Sequence, residues 1–170
     1  MKVNMMSLVF VCCFIGYLAC ANGESISRKA LGDGGVKIKI NYPNSDGCSF
    51  SFSPVNFCDD RHTIIINKAL AEKSPNFFKD YILISISERK KYHQRSIVVI
   101  NSLNGEVYPV PIDTYSGRNS IEDGKINFNL ESNKLCIEGD ILVYRAIKSG
   151  YFCFILEGGK FTGYSTAYMK

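Results

Sequence analysis

Residues 81–101 read YILISISERKKYHQRSIVVIN, and this stretch decides the fold. Isoleucines at positions 82, 84 and 86 alternate with other residues, and a second apolar run extends from Ile97 to Ile100. Alternation with a period of two is typical of β-strands, and two such runs joined by a polar segment indicate a hairpin. We therefore predict two antiparallel strands that are joined by a solvated turn at residues 89–95.

The chain after residue 101 repeats this pattern of strands separated by turn residues. Asn104-Gly105 and Asp123-Gly124 are turn signals, because asparagine, aspartate and glycine tolerate positive φ. The predicted strands are 106–110, 125–130, 139–146, 151–156 and 160–168, and turns at Ser149-Gly150 and Gly158-Gly159 make the last three an antiparallel meander. Residues 151–156 are apolar on both faces, which predicts a central strand covered on both sides.

Residues 36–75 combine strand patterns with one helix signal. The alternating apolar positions are Val36, Ile38 and Ile40, and then Cys48, Phe50 and Phe52, which predicts that Cys48 points inward. The β-branched run Thr63–Ile66 predicts a short strand that His62 opens. The segment Lys68–Lys73 predicts a short helix, with Asn67 as its cap and Ser74-Pro75 at its end.

These patterns define the fold class and the domain boundaries. They predict a mainly β protein, with a single antiparallel β-sandwich or curved-sheet domain over residues 36–170, one short helix and disulfide staples. Residues 22–35 are polar and include four glycines, Gly32, Gly34 and Gly35 among them, which predicts a flexible leader before this domain.

The first 21 residues have the pattern of a signal peptide. Lys2 precedes an apolar run from Met5 to Leu18, and Ala19-Cys20-Ala21 supplies a small-x-small cleavage pattern. The run is shorter than the ~20 residues that a membrane-spanning helix needs. Lipidation of Cys20 is the alternative, but the leucine lies one position too close to this cysteine for the usual lipoprotein pattern. We predict cleavage after Ala21 or Gly23.

The remaining cysteines are predicted to form disulfides. Three of the seven cysteines lie in the predicted signal peptide, which leaves Cys48, Cys58, Cys136 and Cys153. An even number of cysteines in an exported chain favours disulfides, and the pairing 48–58 with 136–153 joins the partners that are closest in sequence. A zinc site is the weaker alternative, because the chain has no C-x-x-C spacing and only two histidines.

The net charge and the absence of known motifs argue against several classes of function. The net charge of +4 is too small for a dedicated nucleic-acid binder, and no chemically specific catalytic or phosphate-binding motif occurs. The segment Cys58–His62 places two aspartates, an arginine and a histidine beside a thiol, and we interpret it as turn chemistry rather than a site. A Cys-His hydrolase would need Cys48 or Cys58 unpaired, with His62 or His93 as its base.

The densest charge in the chain is the candidate binding element. Arg89, Lys90, Lys91 and Arg95 flank Tyr92 between the two predicted strands, and such a cluster suits an acidic partner surface as well as a solvated turn. Tyrosines form a second candidate surface, because Tyr164 and Tyr168 are predicted to share a strand face with Thr162 and Thr166.

The favoured function is an exported, periplasmic or secreted, binding or inhibitory protein. It would dock onto another envelope or secreted protein, as an immunity protein or hydrolase inhibitor does. The alternatives are an exported hydrolase whose site assembles only in the fold, and a structural or accessory envelope component. The absence of N-x-[ST] sequons favours a bacterial envelope. We expect no cofactor, no metal, no nucleic-acid partner and no stable membrane anchor.

We predict that the protein isolated from its native host begins at Asn22 or Glu24, because cleavage follows the small residues at the end of the apolar run. Intact-mass spectrometry of the isolated protein measures this directly. A full-length mass, or an acyl group on Cys20, would contradict the prediction.

Overall fold

A computed structural model describes residues 35–170, all within one compact unit, Leu31–Lys170. The predicted signal peptide, and the predicted leader as far as residue 34, lie outside the described residues. No helix in the described part of the chain is both long enough and apolar enough to cross a membrane.

The described chain contains one α-helix, nine strands and three short 3-10 helices. The strands and the α-helix are β1 (Lys37–Ile38), α1 (Asp60–Glu72), β2 (Tyr81–Arg89), β3 (Gln94–Asn101), β4 (Glu106–Pro109), β5 (Thr114–Ser116), β6 (Lys125–Asn127), β7 (Lys134–Val143), β8 (Ala146–Glu157) and β9 (Lys160–Gly163). The 3-10 helices are Lys90–Tyr92, Arg118–Ser120 and Ala167–Met169.

All nine strands belong to one sheet, which curls into an open half-barrel. Its main order is β1-β4-β3-β5-β7-β8-β9, while β2 pairs with β3 and β6 pairs with β7. Strand β5 joins the two halves, because it pairs with β3 at one edge and with β7 at the other. The prediction of a mainly β, curved-sheet domain with one helix is confirmed.

The β2–β3 hairpin forms the centre of the core, as residues 81–101 predict. Ile82 pairs with Ile100, and Ile84 pairs with Val98. All four side chains are buried, and Val98 and Ile100 have no exposed surface. Burial of a side chain of this size stabilises the fold by roughly 1.5–3 kcal/mol. This hairpin therefore supplies much of the apolar surface on which the other elements pack.

The chain ends in an antiparallel meander, β7-β8-β9, as predicted, but the predicted strand 139–146 crosses the first turn and the predicted turn at Ser149-Gly150 is wrong. Strands β7 and β8 join at Tyr144 and Arg145, whose φ angles are 50° and 67°. Ser149 and Gly150 instead lie inside β8, opposite Asp140 and Gly139. The positive φ at both turn residues matches the twist of a tight hairpin, although tyrosine and arginine carry no turn signal in sequence.

The helix begins eight residues earlier than predicted. Its N-cap is Asp59, whose side chain accepts a hydrogen bond from the His62 backbone N–H at 2.8 Å. The predicted strand Thr63–Ile66 and the predicted cap Asn67 are therefore wrong, because both lie within α1. Positions 62, 66 and 69 are its buried residues, a helical spacing that outweighs the β-branched composition.

Three further side-chain predictions are wrong. Phe50 is buried but Phe52 is 64% exposed with φ of 62°, because residues 48–52 form a turn rather than a strand. Tyr168 lies in a 3-10 helix and is fully buried, so it shares no exposed face with Tyr164. In β8, Tyr151 is 60% exposed, and the predicted cover on both faces is therefore incomplete.

Both predicted disulfides are confirmed. Cys48 bonds to Cys58, with their Cα atoms 5.3 Å apart, and Cys136 bonds to Cys153, with their Cα atoms 4.1 Å apart. Cys136 and Cys153 are direct partners in the β7–β8 register, so the second disulfide links adjacent strands. The first closes the turn that leads into α1 and thereby orients the start of the helix.

We predict that replacing both Cys136 and Cys153 with alanine lowers the free energy of unfolding by about 3 kcal/mol, because the unfolded chain loses a loop constraint. Urea denaturation of the variant and the native protein measures the difference. The Cys48/Cys58 double alanine variant is the matched comparison and should lose slightly less, since its partners are 10 rather than 17 residues apart. Unchanged stability in both variants would contradict this account.

Candidate binding surface and its buried support

The turn between β2 and β3 carries the predicted binding cluster on an ordered backbone. We call Arg89, Lys90, Lys91 and Tyr92 the basic tip. Arg89 ends β2, and the other three residues form a 3-10 helix that His93 closes with φ of 51°. The His93 backbone N–H donates to the Lys90 carbonyl at 3.2 Å. The structure thus displays these side chains from a short helical turn between two paired strands.

The side chains of the basic tip are exposed to solvent. Arg89, Lys90 and Lys91 form no ion pair with any described residue. Lys91 Nζ lies 5.4 Å from the centroid of the Tyr92 ring, and that tyrosine is 45% exposed. The cation–π contact holds an aromatic ring beside the charges. The tip therefore presents three cations and one ring that are available to a partner.

Arg95 was predicted as part of this cluster, but the structure places its side chain against the sheet. Its Nε donates to Ser85 Oγ at 2.6 Å, and its Nη2 donates to the Ser85 carbonyl at 3.3 Å. Its Nη1 also lies 3.9 Å from Asp123 Oδ2. Arg95 is close to the tip in sequence, but it lies inside β3, where its guanidinium contacts Ser85 and Asp123 instead of extending from the tip.

A cluster of charges built around two buried side chains, His62 and Glu88, lies behind the tip, where α1 meets β2. His62 is 2% exposed, and both of its ring nitrogens contact carboxylates. Its Nδ1 lies 2.7 Å from Asp59 Oδ1, and its Nε2 lies 2.9 Å from Glu88 Oε1. The Arg61 guanidinium also lies 3.1 Å from Nε2. Because each ring nitrogen donates to a carboxylate only when it carries a proton, the two carboxylate contacts favour the charged imidazolium.

Glu88 is the centre of this cluster. Its Oε1 accepts from Ser96 Oγ at 2.6 Å as well as from His62, and its Oε2 pairs with the Arg61 guanidinium. Arg61 Nη1 also donates to the Ser87 carbonyl at 2.8 Å. Two cations thus face the carboxylates of Glu88 and Asp59, and the cluster joins the first turn of α1 to the strand end that carries the basic tip.

The pKa shifts follow from these contacts. Burial alone would lower the pKa of His62, but its hydrogen bonds and charge interactions with Glu88 and Asp59 outweigh burial and raise that pKa. Burial alone would raise the pKa of Glu88, yet its contacts with His62, Ser96 and Arg61 lower it. The pKa of Asp59 is lowered in the same way by His62 and Arg61, against the effect of burial. The ionised state of the cluster is therefore the stable one.

This chemistry favours a structural role for His62. A protonated ring that donates both N–H groups has no lone pair to act as a base. Cys48 and Cys58 are joined to each other, so neither provides the thiol that the Cys-His hydrolase hypothesis requires. In residues 35–170 no group of three or more histidine, cysteine, aspartate or glutamate side chains could hold a metal ion. The interpretation of Cys58–His62 as turn chemistry missed the partnership with Glu88.

A sequence signal for Glu88 does exist. Positions 82, 84 and 86 are buried, and Glu88 follows them at the same spacing in the sequence, at a point where β2 shifts its register against β3. A buried carboxylate requires a cation or several donors, so this position implied a partner from another element. The identity of that partner was hidden because His62 lies 26 residues earlier in the chain.

The tyrosine surface is smaller than predicted. Tyr168 OH donates to Asp113 at 2.6 Å and accepts from the Tyr144 N–H at 2.9 Å, inside the core. Tyr144 and Tyr151 are 46% and 60% exposed. Tyr164 is half-buried, and its hydroxyl accepts a hydrogen bond from Lys148. These tyrosines do not form the single half-polar face that alternation indicated.

Comparisons of the chain with protein-family models, curated proteins and solved structures give no match.

We predict that stability falls at both pH extremes. The contribution of His62 is complete below the ordinary histidine pKa of about 6.5 and is lost as pH rises through the raised pKa. The contributions of Asp59 and Glu88 are complete above the ordinary carboxyl pKa of about 4 and are lost as pH falls through the lowered values. Thermal unfolding midpoints measured from pH 3 to pH 9 should therefore be highest at about pH 5–6.

The two histidines provide a matched control for this profile. His62→Gln should weaken the fall of the unfolding midpoint at alkaline pH. It should also lower the free energy of unfolding by about 3 kcal/mol at pH 5.5, since it leaves Glu88 without its buried cation. His93→Gln should keep the decline, because His93 is partly exposed and its ring contacts an exposed carboxylate, that of Asp123. An alkaline decline that is identical in the native protein and in His62→Gln would contradict the assignment.

Proposed function

We propose that this protein is an exported binding or inhibitory protein that docks onto another envelope or secreted protein through its basic tip. The observation that carries the proposal is the tip itself: Arg89, Lys90 and Lys91 extend from an ordered turn and have no ion-pair partner among the described residues. The two disulfides are compatible with an oxidising compartment.

The chemistry of the tip indicates the kind of partner. Three cations beside an exposed tyrosine ring suit an acidic surface that also offers an apolar contact for Tyr92. Tyrosine and arginine are enriched at protein interfaces, whereas clustered lysines mainly accelerate encounter. We therefore expect the partner to be an acidic protein, with Arg89 and Tyr92 in contact and the lysines steering its approach.

The support behind the tip favours binding with a small entropic cost. Glu88 precedes Arg89 directly, and the Glu88 side chain is tied to α1 through His62 and Arg61. A pre-organised surface loses less conformational freedom on association than a flexible one. The anchored strand end therefore suits recognition better than a free loop of the same charge would.

We predict that reversing Arg89, Lys90 and Lys91 to glutamate slows association with the partner by about tenfold or more and removes most of its salt dependence. The protein, purified in each form, is used to capture partners from an envelope and secreted fraction, and binding kinetics are then measured at two salt concentrations. Folding should be nearly unchanged, because these exposed side chains have no ion pairs to lose.

The matched control reverses Lys125, Lys134 and Lys160, which are exposed on other strands and change the net charge by the same amount. The control should retain fast association if the position of the charge matters. A tip-reversed variant that binds the captured partner with unaltered kinetics would refute the assignment of the tip as the contact surface. Equal losses in both variants would show a general effect of net charge.

A further inference from the structure

Polar side chains from three neighbouring strands, β5, β7 and β8, lie side by side on one face of the sheet. Ser116 of β5 pairs with Asp140 of β7, which pairs in turn with Ser149 of β8. Two residues along, Thr114 pairs with Leu142 on the same face. Paired residues point to the same side of a sheet, so this alignment brings a carboxylate and three hydroxyl groups together.

Asp140 is a buried carboxylate that has no cationic partner in the described part of the chain. It is 6% exposed and forms no ion pair with a described residue. Its Oδ1 accepts from Ser149 Oγ at 2.6 Å, and its Oδ2 accepts from the Asn119 N–H at 2.8 Å. A buried carboxylate is ordinarily paired with a cation or coordinated to a metal, and two hydrogen bonds leave part of its lone-pair capacity unused.

A cavity of about 10 Å³ adjoins this carboxylate. That volume corresponds to about one water-sized particle. The polar residues that line the cavity are Gln94, Thr114, Ser116, Ser120 and Asp140. Thr114 is 2% exposed, and its hydroxyl has no hydrogen-bond partner within residues 35–170. A buried hydroxyl without a protein partner beside a polar cavity makes this cavity a candidate site for a ligand of the size of water or a small ion.

The backbone packs tightly around this cavity. Gly139 has φ of 138°, and a Cβ at that position would lie 2.2 Å from the Ser116 carbonyl oxygen. Glycine therefore lets β5 approach β7 closely beside Asp140. The 3-10 helix Arg118–Ser120 lies over the same region, where Asn119 contacts Asp140 and Ser120 Oγ lies 3.2 Å from Ser116 Oγ.

We propose that this cavity binds one small hard cation, with the Asp140 carboxylate and the hydroxyl oxygens of Thr114, Ser116 and Ser120 as its ligands. Oxygen ligands of this kind suit hard cations. With one carboxylate and three neutral hydroxyls the site carries a single negative charge, which matches a monovalent ion of the size of Na⁺. The cation supplies both the missing counter-charge of Asp140 and the missing partner of Thr114.

The experiment compares thermal unfolding of the native protein at pH 7 in the chlorides of sodium, potassium, calcium and choline at equal ionic strength. We expect Na⁺ to raise the midpoint saturably by about 3–5 °C above choline. Thr114→Val should reduce this ion-specific shift, and Thr114→Ser should retain it, because only serine keeps the hydroxyl. A saturable shift that is specific for Ca²⁺ and follows the same variants would support the site with a divalent ion as its occupant.

Asp140→Asn should abolish the shift, whereas Asp123→Asn is the matched control because Asp123 is exposed. If Asp140→Asn fails to fold, the comparison of the valine and serine variants still decides the question. Equal midpoints in sodium, potassium, calcium and choline would overturn the proposal and leave a water molecule as the occupant of the cavity. An ion-specific shift that Asp140→Asn or Thr114→Val leaves unchanged would overturn it as well.

Discussion

The carboxylate of Glu88 is the interaction on which the arrangement of helix, hairpin and tip depends. It is nearly buried, and it receives contacts from His62 and Arg61 of α1 and from Ser96 of β3. A buried carboxylate without these partners would be strongly destabilising, so the helix must begin where it can supply them. The position of α1 and the end of β2 are therefore set by the same group.

The Cys48–Cys58 disulfide and this cluster act at the same place in the chain. Cys58 immediately precedes the N-cap Asp59, and Asp59 contacts both the backbone N–H and the ring of His62. The disulfide restricts the path of the chain into the helix, while the cluster attaches the first turn to the sheet. Recognition through the basic tip would then use a strand end that is held by covalent and electrostatic constraints together.

The proposed cation site adjoins the base of the basic tip, because Gln94, which lines the cavity, pairs with Arg89 of the tip. The tip depends on the β2–β3 hairpin, whereas Asp140 belongs to the β5-β7-β8 alignment. Strand β5 connects these regions, because Tyr115 pairs with Arg95 on one side and with Ile141 on the other. In both regions the proposed ligand would contact a short polar segment, and long apolar strands hold that segment in place.

The sequence by itself determined the mainly β class, the β2–β3 hairpin, the terminal meander and both disulfides. Alternation is a local pattern, and an even number of cysteines whose partners are close in sequence can also be read from the chain. The basic tip was also predictable, because it lies between two clear strands. Only the tertiary structure decided that Arg95 faces Ser85 and that the chain turns at Tyr144 and Arg145. The contact of Arg95 and the turn at Tyr144 depend on strand pairing or backbone geometry, which leave no local pattern, whereas the start of α1 does have local signals in the Asp59 cap and the spacing of positions 62, 66 and 69. The pairing of His62 with Glu88 is the clearest case, because the desolvation that makes it necessary exists only after the chain has folded.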